Sequence, residues 1–195
     1  MDGLDLLYSE AVSETSLSPS SFIVLGLISQ HGPSTSYDLK RCADESVGYF
    51  WHFPRSQLYA EPQRLAALGL LREEQEAQGR RRRFFDLTDA GRQALREWLR
   101  APAGIPELRD LGLLKLFFIA GEPDTVLEAL AQEQRTVHQR RLDEYTRLET
   151  LLSGHAAAQK SSRTLRMGLL YERANIAFWS EILDGAAPGQ ASDAG

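Results

Sequence analysis

The chain has 195 residues, which suffices for one large domain or two small ones with buried cores. Its 43% hydrophobic and 25% charged residues are typical of a soluble globular protein, and no apolar run approaches the roughly 20 residues that span a bilayer. The single cysteine, Cys42, excludes an intramolecular disulfide and fits a cytoplasmic location.

The net charge of −5 is distributed unevenly along the chain. Residues 1–17 contain four acids and no base, so we expect an acidic extension there, and neither a signal peptide nor a transit peptide. Residues 18–100 contain 12 Lys and Arg against 10 Asp and Glu, whereas residues 101–195 contain 10 against 13. The middle block is therefore the basic one, and its charge is concentrated at Arg80–Arg83. Because salt screens charges beyond about 8–10 Å, this local density matters more to a phosphate than the total charge.

Two helices are predicted at the start of the middle block. Ser18-Pro19 predicts the first, because a capping hydroxyl precedes a proline whose missing N–H costs nothing in the first turn. His31-Gly32-Pro33 ends it. One of the hydroxyl residues 34–36 then caps a second helix, from Tyr37 to about Ser46, in which we expect Tyr37 and Leu39 to face inward.

The third helix follows an aromatic connector, residues 50–54, whose large apolar rings we expect to pack beneath it. The helix runs from about Arg55 to Leu68. Pro62 lies inside it and removes one backbone hydrogen bond, so we expect a kink there. Its buried stripe is predicted to consist of Leu58, Leu65 and Leu68.

Residues 70–87 alternate in part and contain helix-breaking residues, which favours a β-hairpin with its turn at Gln78-Gly79. Thr88-Asp89 begins a fourth helix, which continues to Arg100. Residues 101–106, with two prolines and a glycine, form the predicted linker. The fourth helix is expected to bury Ala90, Ala94, Leu95, Trp98 and Leu99.

The rest of the chain is predicted to be helical over about 107–120, 124–152 and 162–184, followed by a tail, residues 185–195, that we expect to be disordered. The long middle helix has a narrow apolar stripe that it cannot bury alone. We therefore expect antiparallel packing against the last helix and a second subunit over the surplus apolar surface. The predicted dimer interface comprises Leu127, Leu130, Val137, Tyr145, Leu148, Leu152, Leu169, Ile176 and Trp179.

Aromatic side chains of the same region are candidates for a cavity that binds a small aromatic ligand, although a core or a subunit interface explains them as well. These residues are Phe117, Phe118, Tyr171, Phe178 and Trp179. The four histidines share no close ligand spacing with Cys42, and neither a phosphate loop nor a catalytic motif is present. We therefore predict no metal, no cofactor and no enzyme activity.

A helix able to enter a DNA groove, followed by a hairpin tipped with four arginines, indicates a winged helix-turn-helix in residues 18–100. An isolated charge run is more often a solvated surface. At a hairpin turn beside such a helix, it favours binding to double-stranded DNA, because arginine matches phosphate and guanine edges and glutamine matches adenine. The predicted DNA-binding residues are Ser36, Tyr37, Arg55, Ser56, Gln57, Tyr59, Gln63, Arg64, Arg80, Arg81, Arg82 and Arg83.

The joint spacing of several fragments across residues 20–100 resembles the PadR family of bacterial transcriptional regulators. These fragments are Leu25-Gly26-Leu27-Ile28, Gly32-Pro33, Tyr37-Asp38-Leu39-Lys40, Ser56-Gln57-Leu58-Tyr59, Arg64-Leu65, Leu68-Gly69-Leu70-Leu71, Arg83-Phe84-Phe85-Asp86-Leu87-Thr88-Asp89-Ala90-Gly91 and Trp98-Leu99. The chain departs from the family in three places. Ala60 stands where proline is usual, Ser36 stands where glycine is common, and the four arginines are denser than in the usual wing.

The resemblance implies a fold that is mainly α with a small β-hairpin wing. An N-terminal winged helix-turn-helix would precede a C-terminal helical dimerisation domain at residues 107–184. The resemblance also implies a homodimeric repressor that binds a roughly palindromic operator, and in some relatives a small aromatic compound releases the protein from DNA. A winged-helix module that binds a protein partner instead of DNA is the alternative.

Overall fold

The computed structural model describes residues 16–51, 53–77, 81–153 and 162–185. The chain divides into two compact units, Met1–Ile105 and Pro106–Gly195, and the division falls inside the linker predicted for residues 101–106. None of the helices within these described ranges combines the length and the hydrophobicity that a bilayer crossing requires.

The first unit contains the predicted helices and hairpin, and the mainly α fold with a small β-hairpin wing is confirmed. Its elements are α1 (Pro19–His31), α2 (Ser36–Asp44), a 3-10 turn (Val47–Tyr49), α3 (Gln57–Ala67), β1 (Leu71–Gln75), β2 (Arg83–Leu87) and α4 (Asp89–Arg100). Ser18, Thr35 and Thr88 cap α1, α2 and α4, respectively, with their hydroxyls. Each cap satisfies a backbone N–H that the helix itself leaves without a partner.

The core of this unit is assembled around α1, which is buried on more than one side. Leu58 and Leu65 of α3 pack into it as predicted, and α3 continues through Pro62, which is itself buried. Leu68, the third residue of the predicted stripe, is instead 38% exposed because it lies past the last turn of α3. The other fully buried side chains of the core include Val24, Leu25, Ile28, Leu39, Leu71, Phe85 and Leu87.

The wing is an antiparallel pair in which Leu71 lies opposite Leu87 and Gln75 opposite Arg83. A third segment joins it at Ser34, whose backbone N–H donates to the Phe85 carbonyl at 3.0 Å and whose carbonyl accepts from the Phe85 N–H at 2.9 Å. This two-bond bridge fastens the residues just before α2 to β2. The start of α2 is therefore held beside the wing.

Helix α4 approaches the beginning of the hairpin closely. The Thr88 hydroxyl donates to the Gly69 carbonyl at 2.7 Å, and its backbone N–H donates to the Leu70 carbonyl at 3.2 Å. A Cβ on Gly91 would lie 2.1 Å from the Leu70 carbonyl oxygen, so any larger residue there would push α4 away from the strand.

Several side chains that were predicted to be buried are exposed. Tyr37, expected to face inward, is 67% exposed, and the connector rings Phe50 and Trp51 are exposed because Val47 and Phe53 take the places against the core. Of the residues predicted to be buried on α4, Leu95 is buried and Ala94 is half-buried, whereas three are exposed: Ala90, Trp98 and Leu99. Trp98 stacks on Phe22 with ring centroids 4.6 Å apart. His52 and the predicted turn at Gln78-Gly79 lie outside the described residues.

The second unit consists of α5 (Leu111–Phe118), α6 (Asp124–Leu152) and α7 (Ser162–Leu183). Helices α6 and α7 pack along each other in opposite directions, as predicted. Ala131 of α6 meets Trp179, His138 meets Glu172, and the Tyr145 ring lies against Gly168. The ring is so close that a Cβ on Gly168 would lie 2.9 Å from it, so the glycine permits the helices to approach.

A hydrogen-bond network ties α3 to α1 inside the first unit. Arg64 donates to both carboxylate oxygens of Glu61, at 2.7 and 3.0 Å, and also to the hydroxyl of Ser21 at 3.0 Å. That hydroxyl donates in turn to Glu61 Oε1 at 2.6 Å. Burial alone would raise the pKa of Glu61, but the hydrogen bonds from Arg64 and Ser21 and the Arg64 charge lower it below its usual range.

We expect Glu61→Gln to destabilise the protein at pH 7 by about 1–3 kcal/mol, the usual cost of losing hydrogen bonds to a charged group. The folded pKa of Glu61 is lowered, so its contribution is present above the ordinary glutamate pKa and is lost as the pH falls through the acid range. Urea unfolding at pH 7 and pH 3 should therefore show a difference between wild type and variant at pH 7 that shrinks at pH 3. Glu45→Gln, at an exposed glutamate of the same unit, is the control. An equal difference at both pH values would contradict the ion-pair account.

Candidate nucleic-acid interface

The wing and the start of α2 enclose a shallow cleft of about 270 Å³. It is lined by Thr35, Ser36, Tyr37, Arg82 and Arg83. The Ser34–Phe85 bridge explains why these residues meet, because it places the first turn of α2 beside the strand that begins at Arg83. Two guanidinium groups beside the positive end of a helix make an environment that suits an anionic oxygen.

The start of α2 is held in place by a capping box. The Thr35 hydroxyl donates to Asp38 Oδ2 at 2.7 Å and accepts from the Asp38 backbone N–H at 3.2 Å. The Thr35 hydrogen bond is the largest cause that lowers the pKa of Asp38, and the charges of Arg41 and Arg82 lower it further against the effect of burial. Asp38 is therefore ionised at neutral pH and links the helix start electrostatically to the wing.

The two wing arginines of the cleft are exposed and paired with carboxylates of the opposite strand or its extension. Arg82 donates to both oxygens of Glu76, at 3.1 and 3.3 Å, and its guanidinium lies 5.6 Å from the centre of the Phe84 ring. Arg83 forms an ion pair with Glu73 at 3.3 Å. The side chains of Arg82 and Arg83 remain 58% and 54% exposed, so both can still reach a ligand.

Of the other two predicted wing arginines, Arg81 lies within the described residues. Arg81 has a left-handed backbone with φ of 50°, and its carbonyl accepts from the Gln75 side chain at 3.3 Å. Its exposed side chain forms no ion pair with any residue that the structure describes. Arg80 lies outside the described residues.

The predicted reading face of α3 is only partly available. Ser56, Tyr59 and Gln63 are exposed, and Arg55 is 67% exposed although it pairs with Asp44 at 3.2 Å. Two further members of the predicted set have partners on or near α1. The Gln57 side chain accepts from the Ser20 hydroxyl, and Arg64 is held by Glu61 and Ser21. Arg64 thus ties α3 to α1, while 34% of its side chain remains exposed, and its contact with DNA stays a prediction.

Sequence patterns did not identify several residues that shape the cleft. Ser34 was predicted only as one of three possible caps, and nothing in the sequence distinguishes its hydroxyl from those of Thr35 and Ser36. Glu76 was not singled out because its partner is fixed by the strand register. The Glu61–Arg64 pair, in contrast, has the i,i+3 spacing of a helical ion pair, and that signal was available.

The predicted dimer residues divide into buried and accessible groups. Leu130, Tyr145, Leu169 and Trp179 are at most 6% exposed within one chain, so they belong to the seam between α6 and α7. This corrects their expected place at a subunit interface, since a second copy cannot reach a side chain that its own chain covers. Among the others, Val137 is 44% exposed, whereas four are half-buried: Leu127, Leu148, Leu152 and Ile176.

The predicted ligand residues are not gathered around one cavity. Phe117 and Phe118 are 79% and 71% exposed, Tyr171 is 40% exposed, and Phe178 packs edge-on against the buried ring of Trp179. The Trp179 Nε1–H finds no acceptor among the described residues. No three His, Cys, Asp or Glu side chains of the described part of the chain lie close enough together to hold a metal ion.

Two family models match the chain, one in each unit. Residues 24–97 match the PadR-like family of transcriptional regulators, and residues 108–185 match the C-terminal region of virulence activator alpha. The negative transcriptional regulator PadR of Bacillus subtilis (strain 168) is 33% identical over 102 residues, which are 51% of this chain and 56% of that protein. The match thus spans little more than half the length of this curated relative.

Solved structures extend the similarity to both units. Bacillus subtilis PadR in complex with operator DNA is 25% identical with a TM-score of 0.79, over 87% of this chain and 98% of that one. Its structure in complex with p-coumaric acid gives 24% identity and a TM-score of 0.74 over the same shares. The winged helix-turn-helix, its sequence match and this structural likeness agree. Residues 24–97 therefore form a PadR-like domain, and the chain as a whole is similar to PadR-like transcriptional regulators.

Proposed function

We propose that the protein is a cytoplasmic transcriptional repressor that binds a palindromic operator in double-stranded DNA as a homodimer. The observation that carries the proposal is the cleft in which the start of α2 meets Arg82 and Arg83. The negative sign of regulation is supported by the Bacillus subtilis relative, which is named a negative transcriptional regulator.

In the proposed complex, α3 lies in the major groove and the wing lies along the phosphate backbone. Ser56, just before α3, and Tyr59 and Gln63 on α3 are exposed side chains that would meet base edges, and the amide of Gln63 suits adenine. Arg82 and Arg83 would bind phosphate oxygens, and the N–H groups that begin α2 would bind another. Base contacts then supply the specificity, and phosphate contacts supply the position and much of the affinity.

We expect the double variant Arg82→Ala, Arg83→Ala to bind operator duplexes at least tenfold more weakly and to bind non-operator duplexes more weakly as well. Both kinds of duplex should be affected because phosphate contacts carry no sequence information. For the operator, the slope of log affinity against log salt should fall by about two, since each lost phosphate contact contributes about 0.9. Fluorescence anisotropy with a duplex selected from a random library measures both quantities.

Arg96→Ala is the control for this experiment, because Arg96 is exposed on α4 and, among the residues that the structure describes, its side chain is hydrogen-bonded to Gln93 alone. An unchanged affinity and salt slope in the double variant would overturn the assignment of the cleft. Failure of the wild type to select any duplex would overturn DNA binding itself and favour a protein-binding module.

The homodimer part of the proposal rests on apolar surface that one chain leaves uncovered in the second unit. Leu114 and Phe117 of α5 are 54% and 79% exposed, and Leu151 of α6 is 70% exposed. Large apolar side chains that are exposed in one chain are typical of an interface. A second copy would cover it and would place two winged units over half-sites about 34–36 Å apart. Further exposed apolar side chains of this unit are Leu108, Leu111, Phe118, Val126, Val137, Met167 and Leu170.

Leu114→Glu with Phe117→Glu is expected to weaken dimerisation at least about a hundredfold. Each apolar side chain contributes about 1.5–3 kcal/mol when it is fully buried, and 1.4 kcal/mol corresponds to tenfold in affinity. Lys115→Glu, at an exposed position of the same helix, changes the charge by the same amount and should leave the dimer intact. Sedimentation velocity across a concentration series separates the two outcomes, and a double variant as dimeric as Lys115→Glu would refute this interface.

A small aromatic acid is the proposed inducer. Bacillus subtilis PadR has been solved with p-coumaric acid, and in this chain the Trp179 Nε1–H is buried without an acceptor among the described residues. A buried donor without a partner is costly, so a ligand oxygen that reaches it gains a hydrogen bond.

We expect p-coumaric acid to release the wild-type protein from its operator and to release Trp179→Phe at least tenfold less effectively. Phenylalanine keeps an aromatic ring in the core but lacks the N–H donor. Anisotropy of a labelled operator during titration with the acid gives the two midpoints. Trp98→Phe in the first unit is the control. Equal midpoints for wild type and Trp179→Phe would eliminate Trp179 as the donor.

A further inference from the structure

The hairpin carries almost as many carboxylates as arginines. Between residues 71 and 87 the sequence contains five arginines and four acidic residues. Three of the described arginines are paired with them: Arg82 with Glu76, Arg83 with Glu73, and Arg72 with both Glu74 and Asp86. A surface proposed to bind phosphate thus carries its own anions.

Glu76 is the carboxylate best placed to compete with phosphate. It binds Arg82 through two nitrogens, Nε and Nη2, and so occupies the edge of the guanidinium that a phosphate would use. Arg82 also lines the cleft with Arg83 and the start of α2. The Arg82 hydrogen bond is the main cause that lowers the pKa of Glu76, so the competitor is ionised at neutral pH.

We propose that Glu76 is a built-in counterion that competes with DNA phosphate for Arg82 and thereby limits sequence-independent binding. The inference rests on the proposed DNA-binding function and deepens it, because it assigns a specificity-determining role to a residue that repels DNA. On a matched operator, base contacts by α3 hold the wing against the backbone and Arg82 exchanges Glu76 for phosphate. On other sequences the looser complex leaves Arg82 with Glu76.

Such a device matters because non-specific sites in a genome outnumber an operator by a factor of about 10⁶ or more. Phosphate contacts supply essentially all non-specific affinity, so an internal anion at a phosphate-binding arginine lowers that affinity directly. Removal of Glu76 should therefore favour non-operator DNA more than operator DNA.

The test compares Glu76→Gln with Glu74→Gln in the full-length protein. Both substitutions remove one negative charge from the hairpin, but Glu74 pairs with Arg72, which does not line the cleft and still has Asp86. We expect Glu76→Gln to tighten binding to a non-operator duplex about five- to tenfold, to tighten operator binding less, and to steepen the non-operator salt slope by about one. Glu74→Gln should change each quantity by less than twofold.

A double-mutant cycle shows whether the effect acts through Arg82. In an Arg82→Ala background, Glu76→Gln should no longer tighten binding, because the arginine that it would release is absent. Glu76→Asp, which keeps the charge, should stay close to wild type. Thermal unfolding of each variant verifies the fold.

The outcomes separate the inference from the function on which it rests. A wild-type protein that binds no duplex overturns the proposed function. A wild-type protein that binds an operator, with Glu76→Gln equal to wild type or to Glu74→Gln, overturns the inference alone. A tightening by Glu76→Gln that persists without Arg82 overturns it as well.

Discussion

The arrangement of the first unit depends on one short backbone contact, the bridge between Ser34 and Phe85. Without it, the segment between α1 and α2 would be an ordinary loop, and the start of α2 would have no fixed distance from the wing. Its two hydrogen bonds, at 2.9 and 3.0 Å, are both shielded, since Ser34 is 4% and Phe85 1% exposed. Because these backbone groups are buried, water cannot replace their hydrogen bonds, and each group would be left without a partner if the bridge broke. Breaking the bridge is therefore costly in free energy. The buried bridge therefore fixes the position of the start of α2 relative to β2.

This placement explains how a chain with a net charge of −5 can present a surface for an anion. Arg82 and Arg83 gain their effect from position, beside a capped helix start, rather than from a general excess of positive charge. The carboxylates of Glu73 and Glu76 offset the charge of these two arginines. A surface built in this way favours a ligand that makes many simultaneous contacts, because only such a ligand recovers the cost of separating the internal ion pairs.

Local signals in the sequence predicted most of the elements, and long-range geometry accounts for what they missed. The caps at Ser18 and Thr88 depend on neighbouring residues only, so the starts of α1 and α4 were predicted correctly. Whether Tyr37 is buried depends on which residues fill the core from elsewhere, and Val47 and Phe53 do so. The same reason applies to Leu130 and Trp179, because an apolar stripe looks alike whether its own chain or a second chain covers it. Arg64 was predicted to face DNA because the sequence alone does not show that the Ser21 hydroxyl, on another helix, lies within hydrogen-bond distance of it.

In the second unit, the packing of α6 against α7 limits what can cover the exposed apolar side chains. An antiparallel pair of helices buries one face of each, and the seam of α6 and α7 is already complete at Tyr145, His138 and Ala131. The buried His138–Glu172 contact, at 2.6 Å, fixes the register of this seam, since a slip by one turn would leave both groups without a partner. The seam is therefore filled by its own side chains and does not cover the remaining apolar ones. The exposed rings of Phe117 and Phe118, which contact each other edge to face, have to find their cover outside α6 and α7. A filled seam with an uncovered apolar helix beside it is the architecture that an added layer of helices would complete.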